Sequence, residues 1–222
     1  MPYPLAHPAA VIPLARPLGP MAVPSALAIG SVVPDLWYFV PGVERNDSHS
    51  VAGLVWFCLP AGFLAYLLFH TLLKQPLIAL ISPRLAHFTC AGPPPRPWYA
   101  VLISLLVGAL THLLWDGLTH GGPNLWQHAS TIAGTAILAA WLWRKLRGVP
   151  PAAPRLSTFT RLCVAAAFLG AMAVAALWSA DIWLTFDIVA VRQLLRTAGI
   201  GALEGLGAAL LIYCLAFRRK MP

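Results

Sequence analysis

The chain has 222 residues, 59% hydrophobic and only 10% charged, with a mean hydropathy of +0.74, a balance that excludes an ordinary soluble globular protein. Its formal net charge is +8, yet no basic patch is interleaved with stacking aromatics, which argues against a nucleic-acid partner. Cys58, Cys90, Cys163 and Cys214 are scattered without a CxxC pair, so neither a thiolate zinc site nor a disulfide framework is expected.

Taken in chain order, Met1-Pro-Tyr-Pro-Leu-Ala-His7 lacks the basic, apolar and cleavage regions of a secretory signal, so the spans themselves are expected to direct insertion. The apolar stretch before Pro34 covers about 14 residues, short for a hydrocarbon core of about 30 Å. A re-entrant or shallow N-terminal segment is expected there, tolerated where it packs against protein. If Pro20 to Phe39 crossed instead, His7 would lie on the opposite face from the polar residues described below. Long apolar windows then follow at Val51 to Leu73, Trp98 to Trp115, Trp126 to Trp143, Leu162 to Trp178 and Gly199 to Phe217. They are apolar all round, unlike the alternating segments of a β-barrel.

The fold class expected is therefore all-α: a polytopic integral membrane helical bundle of about five transmembrane helices. No internal repeat is visible. Residues 1–222 read as a single membrane domain, with a motif segment at 1–50, core spans at 51–143 and C-terminal helices at 162–217. Pro76 to Pro97, with three prolines at 93 to 95, reads as an irregular connection with a short interfacial piece at Leu77 to Ile81. Asp187 to Arg196 reads as an amphipathic stretch on the outer interface.

The basic residues are placed asymmetrically. Lys74, Arg84 and Arg96 fall in one loop, Arg144, Lys145, Arg147, Arg155 and Arg161 in another, and Arg218, Arg219 and Lys220 in the tail. The intervening loops near 41 to 50, 116 to 126 and 179 to 187 are poor in lysine and arginine. The positive-inside rule puts the basic segments and the C-terminus in the cytoplasm and the other loops outside.

Within this apolar chain, Thr111-His-Leu-Leu-Trp-Asp-Gly-Leu-Thr-His-Gly-Gly122 stands out. Residues four apart on a helix are offset by about 40° and about 6 Å, so His112, Asp116 and His120 share a stripe if the helix reaches that far. Gly117 and Gly121-Gly122 are expected to end it near His120, which leaves His112 and Asp116 as the firmer pair. The topology carries Asp35, His49, His112, Asp116, His120 and His128 to one membrane surface. His70 and His87 fall on the other.

Imidazole nitrogen and carboxylate oxygen are the usual non-thiolate ligands of a divalent metal such as zinc, and an HxxxD pair supplies two of them from adjacent helical turns. Plainer readings exist for each residue. Pro34-Asp35 can end a helix in a turn, His49 with Asp47 and Ser48 can form a solvated N-cap, His112 and Asp116 can be a packing pair, and His120 and His128 can be interfacial. Glu204 among Gly201, Gly205 and Gly207 reads as a protonated or paired residue at a close GxxxG helix contact.

Leu5-Ala-His-Pro-Ala-Ala-Val-Ile-Pro-Leu14, Ala28-Ile-Gly-Ser-Val-Val-Pro-Asp-Leu-Trp-Tyr-Phe39, His49-Ser50, Gly108-Ala-Leu-Thr-His-Leu-Leu-Trp-Asp-Gly-Leu-Thr-His120 and Gln127-His-Ala-Ser-Thr131 together resemble an uncharacterised bacterial membrane family, domain-of-unknown-function family 4184. More distantly, an early His, a PD turn, an HS and a later HxxxD are similar to inner-membrane metal-dependent hydrolases and to zinc-dependent phospholipase C and related nucleases. That resemblance implies Asp35, His49, His112 and Asp116 at a first metal, with His7 and a bridging Asp116 at a second. In the soluble enzymes a third zinc needs a further HxxxE; here Ile132 follows His128 by four, so a third site is not expected.

The resemblance further implies hydrolysis of a phosphoester, with membrane lipid as the natural source of substrate and a bacterial inner membrane as the location. Asp35 is either a ligand or the general base. Two other classes remain open from sequence: a small transporter or channel relaying ions through intramembrane His, Asp and Glu, and a non-catalytic scaffold stapled by a structural metal.

Overall fold

A computed structural model describes residues 6–81, 83–86, 96–120, 124–151, 155–184 and 191–218. Most of the described residues are helical, and no strand occurs among them. The N-terminal segment consists of short pieces: α1 (Pro8–Val11), α2 (Ala15–Leu18), α3 (Pro24–Gly30), a 3-10 helix at Val33–Phe39 and α4 (Arg45–Ser48). The long helices follow: α5 (Val51–Ile81), α6 (Trp98–His120), α7 (Asn124–Leu146), α8 (Thr158–Leu184) and α9 (Val191–Arg218).

Proline cuts the N-terminal segment short. Pro8, Pro13, Pro20, Pro24 and Pro34 each sit in the first turn of one of its pieces, the position where a missing N–H costs nothing. The longest pieces have seven residues, about 11 Å for a full α-helix, so none crosses a bilayer. The segment is broken into short pieces, as a re-entrant or shallow segment requires.

Among the described residues, four helices are long and apolar enough to cross a membrane: Val51–Ile81, Trp98–Thr119, Thr158–Ser179 and Thr197–Phe217. The fifth expected span, in α7, forms a 23-residue helix. Gln127, His128, Ser130, Thr131 and Thr135 in its first half lower its apolar content, and it is not among the four.

The first span is longer than expected, because the helix runs on through Pro76 to Ile81. A π turn at Leu54–Cys58 precedes Pro60, and another at Phe69–Leu73 precedes Pro76. Proline lacks an N–H and crowds the carbonyl four residues back, and each π turn absorbs that mismatch without ending the helix. Beyond it the described residues have a 3-10 turn at Pro83–Ala86. Pro93 to Pro95 and Asp187 lie outside the described residues.

Internal contacts sort the chain into two units. The first comprises Met1–His70 and Cys90–Pro150, the second Thr71–Thr89 and Pro151–Pro222. In the first unit α3 crosses α6 closely, because neither helix carries a side chain at the crossing. A Cβ on Gly30 would strike the backbone of Leu105, and one on Gly108 would strike the backbone of Leu27, Gly30 and Ser31. Val23, Ala26, Ala100, Val101 and Leu105 form the apolar core around this crossing. Buried Ser104 on α6 pins the incoming chain. Its Oγ accepts from the Val23 N–H and donates to the Met21 carbonyl, both at 2.9 Å. On α7, Gly134 leaves room for Ala6, the residue before His7.

In the second unit α8 and α9 pack through the expected small residues. Gly201 lies against Ala175 and Ser179, and Gly205 against Ala171 and Ala175. Glu204 is exposed on α9.

Candidate metal centre

Asp35 reaches the centre because Pro34 starts a 3-10 turn directly after α3. His49 is the C-cap of α4, whose ends are tied by a capping box between Glu44 and Asp47. The N-cap role expected near His49 falls instead to Ser50, whose Oγ accepts from the Gly53 N–H at 2.9 Å. His112 and Asp116 project from successive turns of α6, and His7 caps α1.

These five side chains converge in the first unit and are almost fully buried. His49 Nε2 lies 3.5 Å from Asp35 Oδ1 and 3.7 Å from Asp116 Oδ2. His112 Nε2 lies 3.7 Å from each of the same two oxygens. The other oxygen of Asp116, Oδ1, is 3.7 Å from His7 Nε2. The His7 ring stacks on His112 with centroids 3.9 Å apart, and His49 meets His112 edge-on at 5.2 Å.

Those separations are too long for hydrogen bonds, which run at about 2.7–3.2 Å. Asp35 Oδ1, His49 Nε2 and His112 Nε2 are buried without a hydrogen-bond partner, although such atoms are nearly always satisfied. Ligands at about 2.0–2.2 Å around a tetrahedral zinc stand roughly 3.3–3.6 Å from one another. The spacing is therefore that of donors arranged around a shared cation. Among the described residues, two groups have ligand atoms that all fall within 4.8 Å, His7 with Asp35 and His112, and His49 with His112 and Asp116. The residues fit a divalent metal ion.

The surroundings fix how the donors face. The Ser31 carbonyl, brought in by the Gly30–Gly108 crossing, lies 2.8 Å from His112 Nδ1. That contact requires Nδ1–H to donate, which leaves the Nε2 lone pair facing the carboxylates. His49 Nδ1 lies 3.2 Å from the Arg45 carbonyl and 2.8 Å from Ser48 Oγ, so its Nε2 is likewise turned inward. Burial pushes the Asp35 carboxyl up, but the nearness of His49 and the charges of His112, His49 and His7 outweigh it and hold the group below its usual 3.8.

One member of the cluster has no counterpart in the sequence reading. Arg45 Nη2 donates to Asp116 Oδ2 at 3.0 Å. The signal available was its position four residues before His49, which places its carbonyl and its side chain on two ligands at once. His128 is exposed on α7 and does not join the described cluster. Helix α6 does extend to His120, but the side chain of His120 and Gly121-Gly122 lie outside the described residues. His70 bonds Ser25 at 2.9 Å under the Tyr66 ring, away from the metal groups.

Residues 1–127 match the family described as Domain of unknown function (DUF4184), more than half of the chain. The chain belongs to the DUF4184 family. The DUF4184 region contains His7, Asp35, Arg45, His49, His112 and Asp116, and it ends one residue before His128. No curated protein and no solved structure matches the chain.

Proposed function

We propose that the chain is a membrane-bound, metal-dependent hydrolase acting on phosphoesters at the outer surface of a bacterial inner membrane. The observation that carries this reading is the set of contacts at 3.5–3.7 Å between two histidine nitrogens and two carboxylate oxygens. Asp35 Oδ1, His49 Nε2, His112 Nε2 and Asp116 Oδ2 would hold one ion, and Asp116 Oδ1 with His7 Nε2 would offer a second position. Zinc suits the nitrogen and oxygen donors.

A bound ion of this kind supplies Lewis acidity and activates water near neutral pH. The Ser31 and Arg45 carbonyls hold the two imidazoles in the liganding tautomer. Asp116 would help to hold both ions. Asp35, kept ionised by the histidines around it, serves either as a ligand or as the base that takes the proton from water. The exposed apolar residues Phe39, Val40 and Val51 adjoin Asp35 and His49 in the chain, which supports a lipid-borne substrate at headgroup level.

Low exposure of the ligands favours a second reading, a closed structural metal that staples the N-terminal segment to α6. A transporter is favoured less, because the polar groups gather at one end of α5 and α6 and do not line a path.

The deciding experiment is metal content in detergent-purified protein, beside the double variant His112→Ala, Asp116→Ala. Stoichiometric zinc in the wild type, lost in the variant, is expected, together with phosphodiesterase turnover. A folded, zinc-supplied wild type without metal would refute the metal centre. Bound zinc with no turnover under zinc, manganese or calcium, and unfolding on chelation, would replace the hydrolase by the structural staple.

A further inference from the structure

We propose that Arg45 is the anion-binding residue of this centre, and that it receives the oxygens of a phosphate group. The proposal rests on the metal-centre reading above and names what that centre recognises.

Arg45 differs from every ligand in exposure. Its side chain is 35% exposed, whereas those of His7, Asp35, His49, His112 and Asp116 lie between 0 and 8%. Part of its side chain thus reaches the surface, while Nη2 touches Asp116 and the buried Nε has no hydrogen-bond partner. One end of the fork donates to Asp116 Oδ2 at 3.0 Å, an oxygen the metal reading assigns to the ion. Arginine offers five donors in a plane and seldom spends them on one oxygen.

Charge points the same way. Two buried carboxylates face one guanidinium and three imidazoles that must be neutral to bind a metal. A divalent ion in their midst would make the centre net positive by one charge. Arg45 and the ion would then repel each other across a shared Asp116 oxygen, and an anion placed between them relieves that repulsion. A tetrahedral oxyanion offers paired oxygens to the fork, the arrangement that makes arginine–phosphate contacts strong.

The backbone of Arg45 holds this side chain in place. Its carbonyl accepts from the His49 N–H at 2.9 Å and from Ser48 Oγ at 3.1 Å, and it orients the His49 ring. The capping box of Glu44 and Asp47 fixes the turn it starts from. Ligand orientation and anion recognition would thus be built on the same short helix.

The phosphate can belong to a lipid headgroup or to a soluble phosphoester, and the test separates them. Zinc affinity is measured on the full chain in detergent by calorimetry, followed by titration of the zinc-loaded protein with inorganic phosphate, for the wild type, Arg45→Met and Arg45→Lys. Phosphate binding is expected to weaken roughly tenfold or more in Arg45→Met and to recover in part in Arg45→Lys, which keeps the charge but not the fork. Zinc should bind Arg45→Met at least as tightly as the wild type, because Asp116 Oδ2 is released and a like charge removed. Equal phosphate affinity in the wild type and in zinc-loaded Arg45→Met overturns the proposal, as does loss of zinc from both variants, which would make Arg45 a structural brace. A wild type that binds no zinc overturns the metal-centre reading, and this proposal falls with it. Phosphatidic acid in mixed micelles that displaces bound phosphate assigns a lipid substrate; phosphate left in place assigns a soluble one, and both results require Arg45.

Discussion

At the scale of single residues, Asp35 carries the sharpest pH signature. Burial alone would raise its carboxyl, yet His49, His112 and His7 hold it below 3.8. A group depressed in the folded state contributes stability that is fully present above its unfolded value and is lost as pH falls through the folded one. In metal-free protein, the difference in Tm between the wild type and Asp35→Asn should therefore close as pH falls below 3.8. Thermal scans in detergent with chelator check this, and a gap that widens on acidification would show that burial dominates. The five clustered residues were legible in the sequence because each sits in a short pattern, an early His, a PD turn, an HS or an HxxxD. The Ser31 carbonyl was not, since a backbone acceptor leaves no mark on residue type. Arg45 carries no such mark either, because only the fold brings it to Asp116.

At the scale of elements, the centre depends on how closely α3 approaches α6. Gly108→Ala would place a methyl group against the backbone of Leu27, Gly30 and Ser31, none of which can rotate away. The variant should lose roughly 1–3 kcal/mol of stability and, by shifting the Ser31 carbonyl from His112, bind zinc about 10- to 100-fold more weakly. Gly117→Ala on the same helix meets nothing within 4 Å and should be neutral or stabilising by up to about 1 kcal/mol. Thermal unfolding and zinc titration of the pair decide the matter; indistinguishable variants would mean the crossing does not set the ligands. Long apolar runs made the spanning helices readable, as prolines at 8, 13, 20, 24 and 34 made the short N-terminal pieces readable. The passage of α5 through Pro60 and Pro76 was not readable, because a π turn depends on the packing around it and not on the prolines alone.

For the whole molecule, α7 decides the topology. It has 23 residues, about 34 Å of helix, which exceeds the hydrocarbon thickness of about 30 Å despite the polar residues of its first half. If α7 crosses, the loop with Arg84 and Arg96, the segment from Arg144 to Arg161 and the tail at Arg218 all fall on one side of the membrane. If it does not, the first of these is separated from the other two, and the larger share of lysine and arginine moves to the side of the cluster. The topology expected from the sequence includes this crossing and would put the metal cluster on the side opposite the basic segments. The polar half of α7 then lies nearest that cluster side, as expected for residues that meet the headgroup region. Two exposed positions in the first unit test it, Asn46 beside the cluster and Gly148 beyond the basic end of α7. With the native cysteines replaced, Asn46→Cys should react with a membrane-impermeant thiol reagent in intact bacterial cells whose outer membrane has been made porous. Gly148→Cys should react only after the inner membrane is opened. Labelling of both positions in closed cells would mean that α7 returns to the side it started from, and it would leave Arg144, Lys145 and Arg147 facing outward beside the metal ligands. Protection of Asn46→Cys with labelling of Gly148→Cys would invert the protein and put the centre, with any substrate it takes, on the cytoplasmic leaflet.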